Sequence, residues 1–242
     1  MDRLNTGLVI ARYKENISWM HKINNFNEIF IYNKFKNYTD ENEDLKTTSP
    51  SAHLKIVHQN GIIKKKTKKY RVPNVGRESH TYLYHIVHNY DNLNDYTLFC
   101  QGNPLDHSNN LIELCNVQIN YMLDKVDQEN IYFLGNTGYE GVNGIYAPKW
   151  NLASIPIYYF FDLLFGERLD VYDILKFYFG GQFVTSKKII HSRPLSFYKF
   201  LLKLVSYDTN PIEAYILERF WQFIFDPSIE ISDKYLLFEP NN

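Results

Sequence analysis

The tightest constraint on this chain is its first apolar run, Leu8-Val9-Ile10-Ala11, which stops abruptly at the polar cluster Arg12-Tyr13-Lys14-Glu15. An unbroken run this short reads as a strand covered on both faces. Ser18-Trp19-Met20 continues as a short helix, and a second apolar run, Ile29-Phe30-Ile31-Tyr32, ends again in polar residues, Asn33 and Lys34. Strand, helix and strand in this order form a βαβ unit. A parallel sheet of this kind binds its ligands beyond the carboxyl ends of the strands. Arg12, Tyr13, Glu15 and Asn33 therefore become site candidates.

The same pattern returns downstream. Tyr96-Thr97-Leu98-Phe99-Cys100 is strand-like and runs into Gln101-Gly102-Asn103-Pro104-Leu105-Asp106-His107, a turn rich in polar groups. Between these segments, Val75-Gly76-Arg77-Glu78 opens a helix that reaches Tyr90. Leu83, Ile86, Val87 and Tyr90 form its core stripe. Glu78, Tyr82, His85 and Asn89 line a second face, and His80, Tyr84 and His88 a third, placed either in solvent or along a cleft.

Residues 36 to 52 read as an exposed loop, His53 to His58 as a short strand, and the lysine run Lys64 to Lys69 as a solvated loop. Asn110 to Lys125 is expected to be helical, Ile131 to Leu134 a strand, and Gly135 to Gly144 a loop long enough to serve as a lid. Ile155 to Phe165 is a buried helix, far short of the ~20 residues a membrane span needs. Gly180 to Thr185 is a strand entered from a tight turn. A helix with Pro194 at its first position runs to Val205. Another, capped by Asn210 with Glu213 at the capping-box position, runs to Phe225 and buries Ile212, Ile216, Phe220, Phe223 and Ile224. No repeat or linker interrupts residues 1–242, which are read as a single α/β domain.

Composition narrows the function classes. The net charge of −1 draws the chain to neither nucleic acid nor an anionic membrane. Two cysteines, Cys100 and Cys115, both in apolar segments, suit a reducing compartment and so a cytoplasmic, soluble protein. Zinc spacing, a Walker loop, GxGxxG and a nucleophile elbow are all absent from the sequence.

Each remaining cluster has a plain reading beside the functional one. Arg12 to Glu15 is either a surface ion pair or a cation and carboxylate beside a nucleotide. Asn74 to His80 is either a helix cap or an anion site built from backbone N–H groups and Arg77. Asp106, with His107, either holds a divalent cation or closes an ordinary turn. Glu218 beside Arg219 is either a surface pair or a catalytic carboxylate, with Trp221 one turn on as a stacking plate for sugar.

Several segments share one resemblance: Ala11-Arg12-Tyr13-Lys14-Glu15 with Trp19, Ile31-Tyr32-Asn33-Lys34, and the long stretch Pro73-Asn74-Val75-Gly76-Arg77-Glu78-Ser79-His80-Thr81-Tyr82-Leu83-Tyr84-His85-Ile86. Phe99 to His107, Ser192-Arg193-Pro194-Leu195-Ser196-Phe197-Tyr198 and Glu218-Arg219-Phe220-Trp221 complete it. Together they resemble a domain-of-unknown-function family similar to GT-A glycosyltransferases, from about residue 8 to residue 226.

The resemblance implies a GT-A-like central sheet flanked by helices, with a C-terminal helical pair. It implies a nucleotide-sugar donor, an acceptor hydroxyl, and Mn or Mg at an acidic strand end. This sequence has Gln101 and Asn103 there instead of two carboxylates, which leaves Asp106 to supply the metal ligand, or else a metal-free site. On that template Arg12, Tyr13 and Asn33 contact base and ribose. Arg77 and Arg193 take the diphosphate, and His80 and Gln101 the sugar or its phosphate. Glu15, Asn74, Gly102, Asn103, Gln182 and Trp221 complete the donor site. Glu218 is the general base, with Glu78 in reserve. The alternatives are a non-catalytic binding module on the same fold and a metal-dependent phosphoesterase using His80, His85, Asp106 and His107.

Overall fold

The computed structural model describes residues 4–35, 54–56, 65–141, 157–170 and 173–238. Its centre is a seven-stranded mixed sheet. The strands are β1 (Thr6–Arg12), β2 (Glu28–Asn33), β3 (Leu54–Ile56), β4 (Lys65–Arg71), β5 (Tyr96–Gln101), β6 (Ile131–Phe133) and β9 (Phe183–Ser186), in the order β3-β4-β2-β1-β5-β9-β6. β1 pairs parallel with both β2 and β5, and β2 pairs parallel with β4. β3 and β9 run antiparallel to their neighbours. A separate two-stranded sheet is made of β7 (Thr137–Gly141) and β8 (Ile174–Tyr178).

Helices cover both faces. On one side lie α1 (Arg77–Asn89), α4 (Ile157–Phe165), α6 (Leu195–Leu204) and α7 (Ile212–Ile224), packed over Val9, Phe30, Tyr32, Phe99 and Phe183. On the other lie a 3-10 turn at Ser18–Lys22, α2 (Leu111–Val117) and α3 (Ile119–Glu129), packed over Leu8, Ile10, Ile29, Ile31, Leu98 and Cys100. Alternate residues of each strand thus feed two apolar layers. This is why the first run carries no polar position. A short α5 (Lys187–Ile190) follows β9, with the Ser186 hydroxyl accepting the Ile189 N–H at 3.3 Å.

Several expectations need correction. The lysine run is not a loop. From Lys65 it is β4, inside the sheet, and alternation explains how a strand tolerates it; Lys64 lies outside the described residues. Lys65 is buried with its ammonium on the Ile23 carbonyl, Thr67 is buried, and Lys66 and Lys68 share Glu28, each at 3.5 Å. The expected Asn110–Lys125 helix is broken into α2 and α3 at Gln118. Part of the expected lid, Thr137–Gly141, is a strand, and residues 142–144 lie outside the described residues, as do 36–52. The two C-terminal helices start at Leu195 and Ile212, so Pro194 and Pro211 are their cap residues. Asn210 accepts from Arg77 and Tyr215, and Glu213 accepts from the Tyr207 hydroxyl at 2.7 Å, so no capping box forms.

Helix α1 differs most. The middle of its second face turns inward, with Tyr82 and His85 fully buried, while the third face runs from a buried His80 to an exposed His88. The Tyr32 hydroxyl bonds His85 Nδ1 at 2.9 Å, and burial pushes the His85 pKa down to about 3. Among the described residues no helix is long and apolar enough to cross a membrane.

Candidate functional site

β1 lies between β2 and β5, and the chain that moved outward through β2 and β4 returns to β5 on its other flank. The direction of strand order reverses there, and the carboxyl ends of β1 and β5 flank the crevice where open α/β sheets hold ligands. Ala11 is in register with Gln101, and Arg12 with Asn33.

At the end of β1, Arg12 Nη1 donates to Asn33 Oδ1 at 2.9 Å, and Arg12 Nε to the Glu15 carbonyl at 3.0 Å. A guanidinium only donates, so Asn33 must present its oxygen to Arg12. Its Nδ2 is buried with no hydrogen-bond partner among the described residues. Tyr13 is exposed and meets the Phe35 ring edge-on at 5.4 Å, with the Lys14 ammonium 4.3 Å from Phe35. Phe35 was not among the residues expected here. Aromatic contact alone does not mark a position in a Phe-rich chain.

Glu15 and Gly102 have another role. The Glu15 carboxylate accepts the Tyr13 N–H at 2.7 Å and the Lys14 N–H at 3.1 Å, so it braces its own loop. A Cβ on Gly102 would lie 2.5 Å from Glu15 Oε2, and the Trp19 indole donates to the Gly102 carbonyl at 2.9 Å. The glycine lets the β1 and β5 loops touch.

At the end of β5, Gln101 Nε2 donates to Asp106 Oδ1 at 2.7 Å and to the Asn103 carbonyl at 3.2 Å, so its Oε1 is not used in these bonds. Asn103 is exposed. His107 lies stacked against Phe179, with ring centroids 6.3 Å apart. Asp106 and His107 do not join His80 and His85. Among the described residues no three His, Cys, Asp or Glu side chains gather in a way that could hold a metal.

At the start of α1, Gly76 and Arg77 both have positive φ, 60° and 49°. The turn is clamped from two sides. The buried Lys34 ammonium donates to the carbonyls of Val75 and Arg77, and the Gly76 N–H donates to the Asp208 carbonyl at 2.8 Å. Burial pulls the Lys34 pKa down to about 7, against the pull of Glu78. Arg77 is held by α7 and by its neighbour Glu78. Its guanidinium donates to the Tyr215 hydroxyl at 2.7 Å, and its Nε lies 3.6 Å from Glu78. Asn74 is exposed, and His80 Nδ1 is buried without a hydrogen-bond partner among the described residues.

Two residues expected to touch a donor are turned into the protein instead. Arg193 is buried and donates to the carbonyls of Ile224 (3.0 Å), Phe223 (3.2 Å) and Asp226 (2.5 Å), closing the C-terminal end of α7. Trp221 is buried among Tyr82, Phe183 and Phe225, so its ring faces are occupied by protein.

Glu218, in contrast, stands at the junction of several elements. Its Oε1 accepts the Gly180 N–H at 2.8 Å, and its Oε2 accepts from Arg219 at 2.6 Å. The Gly180-Gly181 turn, with φ of 78° and 52°, is pressed between them: a Cβ on Gly180 would lie 2.8 Å from the His107 ring and 3.0 Å from Gln182 Nε2. Gln182 donates to the Pro104 carbonyl at 3.1 Å. This turn therefore links Glu218 to the loop after β5. Burial raises the Glu218 pKa and the nearby Glu78 raises it further, while Arg219, the Gly180 N–H and Arg77 oppose them.

The family model described as "Protein of unknown function (DUF3431)" matches residues 8–234 of this sequence. The chain belongs to the DUF3431 family. No curated protein matches it, and no solved structure does. In this DUF3431 member the family match takes in both strand ends at the crevice, the clamped turn of α1 and the Glu218 helix.

Proposed function

We propose that this chain is a glycosyltransferase of GT-A type that moves a sugar from a nucleotide-sugar donor to an acceptor hydroxyl, with Glu218 as the general base. The observation that carries the reading is Glu218 itself. It is a mostly buried carboxylate with a raised pKa, tied through Gly180 to the loop beyond the strand at the reversal point. A base must take the acceptor proton as the new glycosidic bond forms, and burial beside Glu78 raises proton affinity for that task.

The donor would lie along the carboxyl edge. Tyr13, Phe35, Arg12 and Asn33 form the base and ribose end, and Gln101 and the turn of α1 lie toward the sugar. Asp106 and the free Gln101 Oε1 are the oxygen donors that a Mg or Mn ion held mainly by substrate phosphates would use.

A thermal-shift series with nucleoside diphosphates and their sugars, with and without manganese, tests binding. Glu218→Gln should keep the donor shift and lose transfer. No shift across the series would remove the donor site, and full transfer by Glu218→Gln would remove the base. The second reading, a binding module without turnover, is favoured by the amides Gln101 and Asn103 where a carboxylate pair would bind metal more strongly. Donor shifts without transfer across a broad acceptor panel would select it.

A further inference from the structure

The small sheet β7–β8 lies apart from the main sheet, yet both oxygens of Glu218 depend on it. One oxygen accepts the N–H of Gly180, two residues beyond β8. The other is bound by Arg219 Nη1 at 2.6 Å, and Arg219 is itself gripped by Glu140 of β7, whose Oε2 accepts from Nε at 3.0 Å and from Nη2 at 2.6 Å. The guanidinium also lies over the Phe177 ring of β8, 4.1 Å from its centroid, and donates to the Tyr215 carbonyl at 3.0 Å.

We infer that Glu140 is a positioning residue: acting through Arg219, it fixes where the Glu218 carboxylate points and how firmly that carboxylate holds a proton. Each of the three nitrogens of the fork donates. Its Nε and Nη2 side faces Glu140, its Nη1 side faces Glu218, and its flat face rests on Phe177. A planar guanidinium serves two carboxylates in fixed directions, which an ammonium does not do. The Arg219 side chain is only 9% exposed, so solvent screens these contacts little.

The titratable and charged groups around Glu218 come from several elements. Arg77, Glu78 and the Tyr82 hydroxyl stand on α1 and Arg219 on its own helix, Glu140 of β7 reaches it through Arg219, and His107 flanks Gly180. The inference rests on the proposed base role of Glu218 only for its kinetic consequence.

The test uses the full chain labelled with 13C at glutamate Cδ, with the Glu218 resonance assigned by its loss in Glu218→Gln. Removing the Glu140 charge as Glu140→Gln leaves Arg219 to Glu218 alone, so the Glu218 midpoint should fall. Arg219→Met should raise it, and each shift should be about one pH unit or more. A Glu218 midpoint unmoved in folded Glu140→Gln overturns the inference. That variant preserves shape at a half-buried position and decides the matter even where Arg219→Met fails to fold. Where transfer is observed, Glu140→Gln should lower kcat, leave the donor KM unchanged and move the acid limb of the pH profile, none of which a merely structural contact would do together. Because the titration needs no turnover, it stands apart from any failure of the glycosyl-transfer reading.

Discussion

Replacing Arg193 by methionine keeps most of the stem and deletes the guanidinium that closes α7. The loss can be worked from its contacts. The Nε bond to the Ile224 carbonyl is buried, and the Nη2 bonds to Phe223 and Asp226 are partly buried. Leaving a buried carbonyl without a donor costs about 1–3 kcal/mol, whereas water can replace part of the other two bonds. The sum is about 3 kcal/mol, which for a chain of this length corresponds to a fall in Tm of about 6–12 °C. Urea unfolding followed by tryptophan fluorescence measures it as a lower midpoint with an unchanged slope. The same protein, still folded at low temperature, should show an unaltered thermal shift with any nucleotide that stabilises the wild type. A loss of stability below about 1 kcal/mol, or an abolished nucleotide shift with stability intact, would refute the capping argument and return Arg193 to the diphosphate.

Three further outcomes are expected. Gly180→Ala should destabilise the fold by about 1–3 kcal/mol, because φ is positive there and the new Cβ meets His107 and Gln182; it should also weaken the N–H contact to Glu218, seen as a shifted Glu218 titration. Trp221→Phe should leave any saccharide binding unchanged in calorimetry, since its ring faces protein, whereas Trp221→Ala should cost about 3–5 kcal/mol by denaturation. His80 and His85 both have folded pKa values lowered from 6.5 to about 3 by burial, so the unfolded chain binds protons first. Their contribution is present in full above pH 6.5 and is lost as pH falls toward 3; Tm should drop through that window, less steeply in His85→Gln.

Much of the sheet was legible because burial on both faces leaves an unmistakable mark, an apolar run closed by polar residues at Arg12, Asn33 and Gln101. β4 was not, since Lys66 and Lys68 meet a carboxylate on the neighbouring strand and Lys65 a backbone carbonyl, partners that exist only after folding. β8 was missed for a similar reason: Ile174-Leu175-Lys176-Phe177-Tyr178 is apolar at alternate buried positions but carries a lysine and an exposed isoleucine on its outer side. At the site, residue types suggested Glu218 and placed the strand ends correctly. They did not show that Arg193 and Trp221 turn into the protein, because a motif does not say which way a side chain faces. Glu140 stayed hidden because its partner Arg219 lies 79 positions away in sequence.

The two thiols offer a natural clock. Cys100 on β5 and Cys115 on α2 are fully sequestered in the layer beneath Trp19, and burial pushes both of their pKa values up. Neither can meet an alkylating reagent until that layer parts from the sheet. Their rate of modification therefore times the opening of one half of the molecule, with no residue engineered into it.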